Sequence, residues 1–260
     1  MVLLKKYILS ITIAISSLLS VECDSGFIEI NDLCFNENDI NILQKMIDNS
    51  YQSGIDLGCQ DDDNYCGSPN PYMDDSDAWF WKIIDGQEYY FSNNNGIVEP
   101  LELGIQEWQN GRLTSLMCGA YIYCQLSGSI PEEISELTHA HTLRLEINYL
   151  SGFVPASICE LNSNHGDYLQ FDISGNRLCP PYPECITTSD FWYQETSLCS
   201  EIGDVNQDTI INIQDIILLV PFIIGIEFFN YQDLVIGDIN FDGILNILDI
   251  IILIDIILYE

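Results

Sequence analysis

Two segments near the C-terminal end carry oxygen-bearing side chains at the same intervals. Asp204, Asn206, Asp208, Asn212 and Asp215 fall at positions 1, 3, 5, 9 and 12 of a twelve-residue loop. Asp238, Asn240, Asp242, Asn246 and Asp249 fall at the same positions of a second loop that starts 34 residues later. Carboxylates and amides at this spacing, with the position-7 carbonyls of Ile210 and Ile244, wrap a hard cation. Calcium accepts six to eight oxygens in flexible geometry, whereas magnesium demands a tighter octahedron. Ca2+ is therefore the expected cofactor, one ion per loop. The alternative is a pair of Asx turns that hold no metal, but five matched oxygen positions recur twice. Thr209 stands at position 6, where a tight turn favours glycine, and Gly243 keeps the glycine in the second loop. The first site is expected to be the weaker one.

Other chemistry is sparsely encoded. Asn93, Asn95, Gly96, Glu99 and Glu102 follow the same spacing from position 3 onward, but Phe91 at position 1 has no side-chain oxygen. That segment reads as a decayed metal loop or a turn before a short helix. The three histidines, His139, His141 and His165, accompany no nucleophile motif. Paired carboxylates carry no weight as glycosidase evidence in so acidic a chain. With no CxxC and few histidines, zinc is not expected. The chain reads as non-catalytic.

Forty acidic side chains face seven basic ones, a formal net charge of −33. Such a chain is repelled by nucleic acid and by anionic lipid. Lys5 and Lys6 precede an apolar run at residues 7–19, the pattern of an export signal too short for a comfortable membrane span. Ten cysteines in an exported chain point to disulfides. Proximity pairs Cys23 with Cys34, Cys59 with Cys66, Cys118 with Cys124 and Cys179 with Cys185, leaving Cys159 for Cys199; other pairings stay open.

These residues need elements to position them. Residues 39–49 place Ile40, Leu43, Met46 and Ile47 on one helical face, and residues 54–77 read as loop. Trp79, Phe80, Trp81, Tyr89, Tyr90 and Phe91 form an aromatic cluster that belongs in a core more readily than in a sugar site. Residues 125–137 return at 149–161, an offset of 24, with a third partial copy ending at Leu178. In Leu143-x-Leu145-x-x-Asn148-x-Leu150, alternating leucines line a core and the asparagine can bond backbone where the chain turns. Each unit is too small to bury its own face, so stacked units share one core. The segments after the loops, residues 216–224 and 250–258, are apolar.

The LSGxIP pattern of residues 125–161 resembles plant-type leucine-rich repeats, over about a third of the chain. In that frame His141, Thr142, Arg144, Glu146, Gln170, Asp172 and Ser174 project toward a concave face suited to a protein or glycan ligand. Residues 202–258 resemble a type I dockerin, which implies docking to a cohesin-like scaffold. That docking uses loop positions 10 and 11 together with basic helix residues. Here those positions hold Ile213-Gln214 and Ile247-Leu248, and residues 201–260 contain no Lys or Arg.

The expected fold class is mixed α/β: a short leucine-rich-repeat solenoid with an N-terminal helical cap, plus a small all-α domain with two calcium loop-helix motifs. The expected divisions are residues 1–20 (signal), 21–110 (disulfide-rich capping region), 111–200 (repeats and their C-terminal cap) and 201–260 (calcium module). The expected function is a secreted calcium-binding adaptor, its repeats binding a ligand and its last module a tether. Two other roles fit the same residues: an accessory of extracellular polysaccharide degradation, or a calcium module that caps its own chain.

Overall fold

The computed structural model describes residues 22–60, 63–197, 199–226, 231–240 and 242–259; the expected export signal lies outside them. A short hairpin, β1 (Phe27–Ile30) and β2 (Leu33–Asn36), leads into helix α1 (Glu37–Ser53). Asn36 caps the helix by accepting from the Asp39 N–H, and Gly54 ends it in the left-handed region at φ 59°. Ile40, Leu43, Met46 and Ile47 are all buried, so the helical spacing evident in the sequence holds over a longer helix. Asp39 is fully buried and accepts from Arg112 Nε and Nη2, both at 2.8 Å, and from the Leu113 N–H at 2.9 Å. This fork joins α1 to the sheet.

That sheet has six strands. Strands β3 (Lys82–Ile84) and β4 (Gln87–Tyr89) form one edge, followed by β5 (Ile105–Gln109) and β6 (Arg112–Met117). A second sheet begins at β7 (Ser127–Gly128); β8 (Thr142–Arg144) returns to the first sheet and β9 (Tyr149–Phe153) to the second. Strands β10 (Phe171–Asp172) and β11 (Arg177–Cys179) repeat the alternation. The first sheet is mixed and the second, β7-β9-β11, is wholly parallel. Register stacks Leu116, Leu143 and Phe171, all fully buried, in successive strands.

Between the sheets the chain turns through backbone whose N–H and C=O groups are buried and must be paired. Asn148 Oδ1 accepts from the Leu126 N–H at 2.9 Å, and its Nδ2 donates to the Cys118 and Leu145 carbonyls at 2.7 and 2.9 Å. Asn176 repeats this one coil later with Leu150, Leu145 and Ile173. Gln194 makes a further rung, accepting from the Leu178 N–H and donating to the Ile173 carbonyl.

Helices α2 (Ile213–Ile223), α3 (Tyr231–Gly237) and α4 (Ile247–Tyr259) complete the chain. The expected fold class needs correction. Residues 21–110 do not form a helical cap: besides one α-helix they contribute β1 to β5, three of which lie in the six-stranded sheet. Nor do the described residues include a separate small all-α domain. Ile236 of α3, with Val235, Ile202 and Val205, packs on Phe153 and Cys179 of the parallel sheet. Among the described residues, no three His, Cys, Asp or Glu side chains form a group able to hold a metal, so that module does not exhibit the preformed calcium motifs expected of it.

Five disulfides join all ten cysteines, and among the described residues no helix is long and apolar enough to cross a membrane. The disulfides are consistent with an extracellular protein. Three proximity pairings hold, but Cys159 bonds Cys185 and Cys179 bonds Cys199. Cys179 ends β11 against Phe153 and Ile236, whereas Cys185 lies against the main core, so the nearer partner is on the wrong side.

Replacing Asn176 by alanine leaves the Leu150 N–H without its acceptor and takes one donor each from the Leu145 and Ile173 carbonyls, which keep Asn148 and Gln194. Urea unfolding is expected to report a loss of about 2–3 kcal/mol. A loss below about 0.5 kcal/mol, the level of an ordinary surface substitution, would count against the ladder.

Candidate functional site

The two C-terminal loops share one hydrogen-bond frame. Asp204, at position 1, accepts from the Asp208 N–H at 3.0 Å and the Thr209 N–H at 2.9 Å. Asp238 does the same with Asp242 and Gly243, at 3.1 and 2.8 Å. At position 12, Asp215 accepts from the N–H groups of Asn206 and Asn212 at 3.1 and 2.8 Å. Asp249 accepts from Asn240 and Asn246 at 3.4 and 2.8 Å. Asn206 and Asp208 each accept from the N–H two residues on, as do Asn240 and Asp242. Position 9 also serves the helix that follows it. Asn212 caps α2 through the Gln214 N–H, and Asn246 accepts from the Leu248 N–H at the start of α4. Loop and helix are thus one unit, and Leu219 and Leu253 pack the two units together in a small core.

Thr209 adopts φ +70° and Gly243 φ +77°. A Cβ at Gly243 would meet nothing within 4 Å, so what a side chain costs at that loop position is left-handed backbone strain, which Thr209 carries.

The donor set suits a hard cation, being carboxylate, amide and carbonyl oxygen throughout. Asp204, Asp215, Asp238 and Asp249 are all buried, in a segment without a single Lys or Arg. Buried like charges need a counter-charge or a metal. Yet the carboxylates face backbone N–H groups, and the Asn206 and Asn240 amides donate to Asp208 and Asp242 at 2.9 and 3.0 Å. Residues 204, 206, 208, 210, 212 and 215, with their counterparts at 238, 240, 242, 244, 246 and 249, are the ones that would hold calcium.

The same frame occurs a third time. Glu102 accepts from the N–H groups of Asn93 and Glu99 at 3.2 and 2.9 Å, as position 12 does elsewhere. Asp74, from another segment, accepts from the Asn95 and Gly96 N–H groups at 3.1 and 2.6 Å. It takes the place that Phe91 cannot fill. Burial pushes the Glu102 carboxyl up to about 8, with Asp74 and Glu99 acting in the same direction. The N–H groups of Glu99 and Asn93 oppose the rise.

The residues expected on the repeat face are brought together but are not equally available. His141 is exposed, and Thr142, Gln170 and Ser174 are half-buried. Arg144 lies beside Asp172 in register and is ion-paired to Glu146, while Glu146 and Asp172 are buried. Burial pushes the Glu146 carboxyl up, against the pull of the Arg144 guanidinium. Gly119 crosses so closely that a Cβ there would run into the Glu146 carboxylate. Glu146 is therefore part of the packing beneath the face. Of the aromatic cluster, Phe80 is buried while Trp79 and Tyr90 are exposed.

Compared with family models and with curated protein sequences, the chain matches none. Among solved structures, a chain of the crystal structure of the BIR3–SERK2 complex from Arabidopsis thaliana aligns with 31% of this chain and 67% of its own. The identity is 17% and the TM-score 0.16, too low to carry an argument.

The Glu102 shift predicts a pH effect. Its folded pKa of about 8 lies above the ordinary 4.5, so its stabilising contribution is complete below about 4.5 and is lost as pH rises through 8. Urea midpoints measured across pH 4.5 to 9 in a chelator should fall less with rising pH in Glu102→Gln than in the unaltered protein. Parallel curves would contradict the shift.

Proposed function

We propose that this chain is a secreted, calcium-binding, non-catalytic adaptor. The observation that carries the reading is the duplicated oxygen frame of the two C-terminal loops, whose buried carboxylates have no cationic side chain in their segment. Calcium would neutralise those carboxylates and fix each loop to the helix it caps. The surface polar residues of the repeat face, His141, Thr142, Gln170 and Ser174, would recognise a protein or glycan. The exposed apolar side chains of α2 and α4, among them Ile213, Ile217, Ile247, Leu248 and Ile251, offer a surface for a cohesin-like or other scaffold.

A second reading has its own support. Ile236 packs on Phe153 and Cys179, and the Cys179–Cys199 disulfide ties the last segment to β11. In this reading the calcium loops stabilise the end of the protein's own parallel sheet. Limited proteolysis distinguishes the two: an intramolecular cap predicts that residues 201–260 are protected in calcium. An adaptor tether predicts that they stay as open to cleavage in calcium as in chelator.

Calorimetric titration of the full chain tests calcium binding directly. Asp215→Ala and Asp249→Ala should each remove one site, and chelation should lower the helical circular dichroism. Thr209→Gly should tighten the first site by about five- to tenfold, the equivalent of about 1 kcal/mol of relieved left-handed strain. No heat of binding, or an unchanged spectrum under chelation, would contradict the proposal.

A further inference from the structure

Cationic groups are scarce in this protein, and where each one sits is informative. Lys45 is paired with Glu133, Arg112 with Asp39 and Arg144 with Glu146. Lys82 is buried and donates to the carbonyls of Phe80, Glu102 and Gly104. Among the described residues, Arg177 is the one Lys or Arg whose head makes neither an ion pair nor a hydrogen bond to the protein. Exposed Glu195 feels its charge without bonding to it. The Arg177 guanidinium lies over the Tyr149 ring, 5.2 Å from the centroid, a cation–π contact that uses none of its N–H donors.

Arg177 lines a cleft of about 360 Å³ beside the parallel sheet, on the opposite side of the repeats from His141 and Thr142. Phe153 contributes an apolar wall. Ser151, Ser200 and Gln207 also line it, and their side chains make no hydrogen bond among the described residues. One guanidinium, an aromatic ring and three free hydroxyl or amide groups thus face one concavity. A carboxylate fits the guanidinium fork, and a polyol fits the remaining donors and acceptors. The net charge of −33 disfavours a polyanion.

We propose that this cleft binds a saccharide carrying a single carboxylate, a uronic acid joined to neutral sugar, with the carboxylate on Arg177 and the hydroxyls on Ser151, Ser200 and Gln207. The site is distinct from the repeat face; Gln207 belongs to the first C-terminal loop, so the cleft rests on that loop lying beside the parallel sheet, as in the second reading above. The test is a titration of the full chain, at fixed calcium concentration, with a glucuronic acid–hexose disaccharide. The same disaccharide with its carboxyl reduced to an alcohol is the control. The acidic sugar should bind at least tenfold more tightly than the reduced one. Arg177→Gln should erase that difference while leaving the melting temperature unchanged, and Ser151→Ala should weaken both sugars. Equal binding of the two sugars, absence of binding, or an Arg177→Gln variant that still prefers the acid would overturn the proposal. The last outcome would assign the preference to calcium bridging.

Discussion

The structure depends on side-chain oxygens, most of them buried, that accept hydrogen bonds from turning backbone. The strands are only two to six residues long, and much of the chain runs as coil between them. Buried coil has backbone groups that no ladder satisfies, and leaving them unpaired is costly. Asn148, Asn176 and Gln194 solve this within the repeats, and Asp39 solves it where α1 meets β6. Asp74 and Glu102 hold the 93–102 turn, and four aspartates hold the two C-terminal loops. In each case one side chain satisfies two or more groups, from other segments at Asn148, Asn176, Gln194, Asp39 and Asp74 and from its own loop at Glu102 and the four aspartates.

The same device has different consequences according to charge. The amides of the repeats are neutral, so burial costs little once each oxygen and N–H group is paired. Carboxylates in that role bring charge into the interior. Asp39 is balanced by Arg112, and the Glu102 carboxyl is pushed toward its neutral form. The C-terminal aspartates have no Lys or Arg within their own segment. Calcium supplies the missing positive charge in the proposed function, and the capping of α2 and α4 by position-9 asparagines would transmit its binding to the helices.

Much of this is legible in the residues. The 24-residue offset marks the coils, and Asn148 and Asn176 are readable as backbone partners because they recur in register. The spacing of the loops also predicts which residues share a turn. What stays hidden is contact between segments distant in sequence. Asp74 lies 17 residues before Phe91, and no local pattern says that it fills the vacant first position of that loop. Gln194 replaces an asparagine outside the repeat spacing. Strands β3 to β5 are too short to show a clear alternation, so residues 21–110 resemble a helical cap until their pairing is seen. The Cys179 and Cys185 partners depend on which side of the core each faces, which spacing does not encode.

The central claim is that calcium is the counter-charge for the C-terminal loops. Hydrogen exchange of the full chain, with calcium and with excess chelator, tests it most directly. The account predicts slower exchange in calcium for the amides of residues 206–212 and 240–246. The amides of residues 143–178, held by the asparagine ladder, should exchange alike in both conditions. Identical exchange of both loops with and without calcium would contradict it.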